Sequence, residues 1–135
     1  MSVSQARFVK SERLSSKKVI AELFEKGSSF FYKSFQVVWI KSPLDIPFPA
    51  QIAFSVSKKK YRRAVQRNLI KRRTREAYRK NKHLLYDFLE KNNLKIVLIL
   101  IFKDNMIPDY VVFEESIREI IKKFTMILKA RGEIC

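Results

Sequence analysis

Cysteine, histidine and glycine are nearly absent from this chain. Its one cysteine, Cys135, is the last of 135 residues, so no internal disulfide can form and a reducing cytoplasm is the simplest setting. The only histidine, His83, leaves too few ligands for an ordinary zinc site. The two glycines, Gly27 and Gly132, cannot build a glycine-rich phosphate loop. These scarcities argue against disulfide-stapled, zinc-binding and P-loop proteins.

Long apolar segments are also missing. The longest uninterrupted apolar run covers residues 96–102, far fewer than the ~20 residues that span a bilayer. The first twenty residues mix polar, basic and apolar side chains without the apolar centre of an export signal. We therefore expect neither a membrane span nor a leader, and the apolar run predicts a buried central strand.

Acidic residues are few compared with basic ones. The chain has 13 Asp and Glu against 29 Lys and Arg, a formal net charge of +16. Its 47% hydrophobic content is enough for a core, which predicts one domain over residues 1–135, with residues 1–14 as a flexible basic arm. Such a charge on one small domain points to a polyanionic partner, either nucleic acid or an anionic membrane surface.

Hydrophobic periodicity predicts an α/β sandwich with a small mixed sheet. Ser15 or Ser16 can cap a first helix, and Gly27 can end it in a left-handed conformation. Three prolines mark a loop at residues 42–49, and the strands on either side of it are expected to pair as an antiparallel hairpin. The predicted elements are helix 16–26, strand 30–41, strand 51–57, helix 62–90, strand 95–102, a turn at 104–109 and helix 113–131.

The first predicted strand has two unlike faces. One is apolar and is assigned to the core: Phe31, Phe35, Val37 and Trp39. The other is mixed and could be open to a ligand: Tyr32, Ser34, Gln36, Val38 and Ile40. An aromatic side chain on a basic sheet surface can stack an unpaired base, and Phe24 is a further candidate for that role.

Positive charge is concentrated in residues 58–82. This segment holds 13 Lys and Arg against one acid, Glu76, so 12 of the 16 excess charges lie in 25 residues. On a helix, four cations form an i, i+4 row: Arg67, Lys71, Arg75 and Arg79. Asn68 and Arg72 lie beside this row, and Lys82 extends it. The opposite, core-facing side is assigned to Val65, Leu69, Ile70 and Ala77.

The residue pattern of the basic helix favours nucleic acid over an anionic membrane surface as the polyanionic partner. A membrane-surface helix needs a large apolar face, whereas this helix has small and medium apolar residues with Arg73 and Gln66 among them. Asn68 beside arginines suits hydrogen bonding to phosphates and bases. Single-stranded regions and 2′-hydroxyls make RNA a plausible target, although charge alone does not separate RNA from DNA.

Several segments together resemble the signature of the bacterial ribonuclease P protein subunit. They are SVSKK at 55–59, AVQRN at 64–68, IKR at 70–72 and RE at 75–76, with Arg13-Leu14, Phe24, Gly27 and Phe35 upstream. The likeness covers roughly residues 10–80. The chain departs from the family pattern in having Leu69 in place of a basic residue, Ile20 in place of an aromatic, and Tyr61-Arg62-Arg63 in place of a glycine-containing turn.

The resemblance implies a two-layer α/β (α+β) sandwich in the order α-β-β-(β)-α-β-α, with an uncommon left-handed β-α-β crossover. It implies a protein of the cytoplasm whose partners are a catalytic RNA subunit and precursor tRNA, with no DNA or membrane partner. Magnesium is then expected mainly on the RNA, and no catalytic residue on the protein. The implied RNA-binding residues are Arg67, Asn68, Lys71, Arg72, Arg75, Arg79, Lys58 and Lys59, and the cleft for the 5′ leader of precursor tRNA involves Ile20, Phe24, Val38 and Ser57.

Two other functions remain open from the sequence. A protein-only nuclease would need converging carboxylates, but Asp104, Asp109, Glu114 and Glu115 suit turn and cap positions. A ribosomal or other structural RNA-binding protein would have the same charge and size. A ribosomal protein has no reason to prefer tRNA with a leader, so leader discrimination separates that alternative from a ribonuclease P subunit.

Overall fold

A computed structural model describes residues 8–131, which form a four-stranded mixed sheet with helices on both faces. The elements follow the predicted order: α1 (Lys17–Lys26), β1 (Ser28–Tyr32), β2 (Phe35–Lys41), β3 (Ala50–Val56), α2 (Ala64–Lys91), β4 (Ile96–Phe102) and α3 (Tyr110–Ala130). The predicted mixed α/β class is confirmed.

The sheet has the strand order β1-β2-β4-β3. β4 is the buried strand expected from its apolar run, and it pairs antiparallel with β2 and parallel with β3. The predicted antiparallel pairing of β2 with β3 is therefore wrong. After β3 the chain passes through α2 and returns as β4, which lies between β2 and β3 in the sheet. This β3–α2–β4 unit is the crossover for which the resemblance implies a left hand.

The antiparallel hairpin lies earlier in the chain, within what the sequence predicted as one strand. β1 pairs with β2 up to Tyr32 and Phe35, and Lys33 and Ser34 make the turn. Lys33 has a φ of 47°, a left-handed conformation that is uncommon for lysine, so no glycine or asparagine marked the turn. Because the chain reverses here, Phe31 lies opposite Gln36 and not on the core face with Phe35.

The main core lies between the sheet and the pair α2 and α3. Phe30 meets Phe124 edge to face, with 6.0 Å between ring centroids, and the Trp39 ring lies 5.0 Å from the same phenylalanine. Phe35, Phe102 and Phe113 form a second aromatic group within this core. Burying each of these rings contributes about 2 kcal/mol or more, which makes this layer the main source of stability.

α1 covers part of the opposite face of the sheet. The Ser16 hydroxyl caps it by accepting from the Val19 N–H at 3.3 Å, as expected. The predicted left-handed stop is wrong, because Gly27 has an extended conformation with φ −69° and ψ 150°. Glycine is required for space: a Cβ there would lie 2.2 Å from the Leu23 carbonyl oxygen and 2.9 Å from a Val38 methyl group.

The predicted basic arm is only partly within the described residues. Residues 1–7 lie outside them, as do Gly132 and Cys135. Residues 8–14 are packed on the domain rather than extended from it: a short 3-10 helix at Lys10–Glu12 leads to a bridge between Arg13 and Ile52. This segment covers the outer edge of β3, an edge that would otherwise expose unpaired backbone groups.

Candidate nucleic-acid interface

Residues 57–63, here called the basic loop, join β3 to α2. Ser57 organises the loop, because its hydroxyl accepts from the Lys59 and Lys60 N–H groups at 3.2 and 3.4 Å. The Tyr61 hydroxyl donates to the Asp104 carbonyl at 2.8 Å, and the Lys60 ammonium donates to the Lys103 carbonyl. The backbone is thereby tied to the end of β4, while the predicted RNA-binding side chains of Lys58 and Lys59 are exposed to solvent.

The four residues of the predicted basic row on α2 differ in burial and in their hydrogen-bond and ion-pair partners. Arg67 donates to the Tyr61 and Arg62 carbonyls at 2.7 and 2.8 Å, which closes the basic loop against the helix. Lys71 and Arg75 are partly buried. Arg79 forms an ion pair with Glu76 at 2.6 Å.

The geometry of the helix explains this spread. Each i, i+4 step turns about 40° around the axis, so the row turns about 120° between Arg67 and Arg79. The buried face of α2 begins at Ile70 and continues through Thr74 and Tyr78. The row starts in line with that buried face and turns away from it along the helix.

The four apolar residues of α2 that the sequence assigns to the core differ in burial. Ile70 and Ala77 are buried as expected, and Leu69 is partly exposed. Val65, assigned to the core, is 78% exposed, because α2 packs against the core only from Ile70 onward. Asn68 and Arg72 are exposed polar positions in this part of the helix, whereas the four residues of the row are partly buried.

Lys82 does not extend the basic surface. It is buried and its ammonium lies 2.5 Å from a Glu12 carboxylate oxygen, with side-chain exposures of 4% and 1%. The Tyr86 hydroxyl donates to the same oxygen at 2.5 Å, and the Val9 N–H donates to the other at 3.0 Å. The sequence pattern missed this pair because Glu12 is 70 residues away in the chain.

Electrostatics distinguish two arginines of the row. Hydrogen bonding from Arg79 holds the pKa of Glu76 below its ordinary value, so this arginine has a carboxylate partner within the protein. Burial, with Arg13 nearby, lowers the pKa of Arg75, and within residues 8–131 its buried Nε has no hydrogen-bond partner. Arg75 therefore carries a poorly compensated charge at the border of the exposed surface.

The sheet face beneath α1 is arranged in cross-strand rows. The first row runs across all four strands through Ser29, Val38, Ile99 and Ala53, and its two central residues are buried under α1. The next row toward the basic loop contains Phe31, Gln36, Ile101 and Ser55; we call it the open row, because its members are exposed or only partly buried. Ser57 follows two residues beyond Ser55.

The four predicted cleft residues occupy three different environments. Val38 is buried in the cluster beneath α1, and Ile20 packs partly against that cluster. Phe24, one turn beyond Ile20, is 57% exposed and free of a core role. Ser57 belongs to the basic loop. The structure thus gathers Ile20 and Val38, leaves Phe24 exposed to solvent beside them, and places Ser57 beyond the open row.

Comparison with known proteins identifies the family. The family model for ribonuclease P matches residues 8–126. A ribonuclease P protein component of Porphyromonas gingivalis is 34% identical over 110 residues, covering 82% of this chain and 80% of that protein. The chain belongs to the ribonuclease P protein family. RNA binding and tRNA processing follow from this membership, and the alternative of a ribosomal protein receives no support from the matches.

Solved structures of ribonuclease P proteins have the same fold as this chain. The ribonuclease P protein from Thermotoga maritima superposes with a TM-score of 0.65 at 22% identity, covering 83% of this chain and 96% of that one. The protein from Staphylococcus aureus gives 0.63 at 23% identity, covering 85% and 96%. At these identities the likeness establishes the shared fold alone.

Other kinds of site are lacking in the described part of the chain. Residues 8–131 contain no group of three or more His, Cys, Asp or Glu side chains that could hold a metal ion. None of the helices within that range is both long and apolar enough to cross a membrane.

Sequence reasoning also missed residues that shape the site of this family member. Lys60, Tyr61 and Asp104 hold the basic loop, but their partners are separated by about 43 residues in the chain. Phe31 was assigned to the core, although it is 61% exposed on the open row. The only local signal for its true position was the hairpin turn, which lacks the usual turn residues.

Proposed function

We propose that this chain is the accessory protein of a ribonuclease P whose RNA subunit carries catalysis. The protein binds that RNA through the basic loop and the exposed side of α2, where Lys58, Lys59, Asn68 and Arg72 are accessible. It also grips the 5′ leader of precursor tRNA, so that the leader is removed at the mature 5′ end. The assembly works in the cytoplasm.

One observation carries this proposal: the end of β3 leads directly from the open row into the basic loop. Ser55 is on the open row, Ser57 organises the loop, and Lys58 follows it. A single RNA strand lying on the sheet face and a folded RNA lying against α2 would therefore meet neighbouring residues. This adjacency suits a protein that holds substrate and ribozyme together.

The positions of the acidic residues support a role in RNA binding rather than in phosphodiester cleavage by the protein itself. Phosphodiester cleavage by metals uses carboxylates that converge on two ions. Asp104 instead accepts from the Ser34 hydroxyl at 2.8 Å and holds the hairpin turn, and Glu114 pairs with Arg118. Magnesium is proposed to bind chiefly to RNA phosphates, which the protein's cations help to neutralise.

Reconstitution tests the proposal. Precursor tRNA labelled at its 5′ end is incubated with protein alone, cognate RNA alone, or both, at low magnesium concentration. We expect cleavage only with both components, and tighter binding of leader-bearing than of mature tRNA. Robust cleavage by RNA-free protein would contradict the assignment of catalysis to the RNA, and equal affinity for both tRNAs would contradict the leader cleft.

A further inference from the structure

Phe31 is the exposed aromatic residue of the sheet. Among the described strands, the other aromatic side chains are buried or partly packed against the core, whereas Phe31 is 61% exposed. Its neighbour Phe30 points to the opposite face and packs against Phe124, so Phe31 must lie on the face that carries the open row. Phe31 belongs to neither of the two hydrophobic clusters within the described residues, so core packing does not explain an aromatic ring at this position.

The position of Phe31 within the open row gives it a defined relation to the basic loop. Ser55 is at the β3 end of the row and Phe31 is at the β1 end. Three interstrand spacings of about 4.8 Å separate them, roughly 14 Å in all. Gln36 and Ile101 form the floor between the two ends. A single-stranded RNA that binds first near the basic loop reaches Phe31 only after it has crossed all four strands of the sheet.

The charges around this end of the row favour an anionic ligand. Lys33 and Lys103 are exposed next to it. Lys123 lies over the Phe30 ring on the other face and reaches only the edge of the sheet, where its ammonium donates to the Phe31 carbonyl at 3.0 Å. The nearby carboxylate of Asp104 already accepts from Ser34 and from the Asn105 N–H. An exposed aromatic ring bordered by cations is the arrangement that binds single-stranded nucleic acid.

We propose that Phe31 stacks a base of the single-stranded leader at the far end of the open row. This inference rests on the proposed function and names an additional contact within it. Base stacking on an aromatic ring tolerates any sequence, since every base has a flat face. The ring therefore contributes to leader affinity only when the leader is long enough to cross the sheet, and it does so without selecting a base.

A leader-length series tests the proposal in the reconstituted enzyme. Precursor tRNAs carry leaders from one nucleotide to about ten, and binding is compared for the parent protein, Phe31→Ala and Phe31→Trp, each assembled with the cognate RNA. We expect Phe31→Ala to weaken binding of long-leader substrates about five- to tenfold and to leave short-leader substrates unchanged. Phe31→Trp should keep the affinity of the parent.

Val111→Ala is the matched control, because Val111 is also 61% exposed but belongs to α3, which packs on the other face. A leader containing 2-aminopurine supplies a direct readout: its fluorescence should be quenched on binding to the parent and recover with Phe31→Ala at one leader position only. Thermal unfolding of each variant checks that the fold is retained.

Three results would overturn the inference. If Phe31→Ala binds every leader like the parent while Arg72→Ala weakens binding, the proposed function stands and the Phe31 contact is wrong. If affinity does not depend on a leader in any variant, the proposed function fails as well. If Phe31→Ala changes the oligomeric state of RNA-free protein without affecting leader affinity, the ring covers a second copy of the chain instead.

Discussion

The buried pair of Glu12 and Lys82 provides a stability prediction that can be worked from the structure. The two side chains are almost wholly excluded from water, and the carboxylate accepts from the ammonium, from Tyr86 and from the Val9 N–H. Every strong interaction of this carboxylate is therefore internal. Glu12→Gln removes the negative charge at nearly constant volume and leaves the ammonium buried without its counter-ion.

The expected loss follows from the cost of an uncompensated buried charge. Removing one member of a buried ion pair costs about 3–5 kcal/mol of unfolding free energy. The glutamine oxygen can still accept one hydrogen bond, so we expect the lower end, about 3 kcal/mol. For a domain of this size that corresponds to a fall in Tm of roughly 10 °C.

Urea unfolding followed by circular dichroism measures the loss. Lys91→Met is the matched control, because Lys91 is exposed on the same helix, and its effect should stay within about 0.5 kcal/mol. Combining Glu12→Gln with Lys82→Met removes both charges and should restore much of the stability lost in the single variant. A loss below about 1 kcal/mol, or a double variant no more stable than Glu12→Gln, would refute the reasoning.

Three further predictions concern the interface and its supports. Arg72→Ala should reduce the salt slope of RNA binding by about 0.7, whereas Arg79→Ala should change it less because that charge is already paired; equal slopes would remove this distinction. Gly27→Ala should destabilise the protein by about 1–3 kcal/mol in thermal unfolding, since its Cβ has no room, and an unchanged Tm would contradict the close packing. The hydrogen bond from Ser34 lowers the pKa of Asp104 from 3.8, so Ser34→Ala should lose stability at neutral pH; its difference from the parent should begin to shrink as the pH falls below 3.8 and disappear only below the lowered pKa of the folded state.

The helices and the central strand could be predicted because their signals are local. Ser16 caps α1 as its side chain predicts, and the apolar run of β4 fits a strand buried on both faces. Strand pairing could not be predicted in the same way. The hairpin turn at Lys33 depends on the Ser34 carbonyl accepting from the Lys103 N–H, a partner some 70 residues away. That long-range support lets a lysine adopt the left-handed conformation that normally signals glycine.

The basic character of α2 was evident from the sequence, but its orientation was not. Charge density alone does not show which side of a helix is buried, because Thr74, Asn81 and Lys82 all lie on the buried face of α2. The orientation is set by tertiary partners, of which Glu12 is one. The sequence therefore placed Asn68 and Arg72 on the exposed side correctly but assigned buried Lys82 to the basic surface and exposed Val65 to the core.

The same ion pair connects the parts that would bind RNA. Glu12 and Lys82 join the N-terminal segment to α2, and that segment continues through Arg13, which bridges to Ile52 of β3, to Leu14 beneath α1. α1 covers the sheet beside the open row, while α2 carries the exposed cations. The proposed leader cleft and the proposed RNA-binding side of α2 are therefore connected by buried contacts in addition to the basic loop. For the function proposed above, such a connection would hold the leader and the catalytic RNA in a constant relative position, which two independently mobile binding elements would not do.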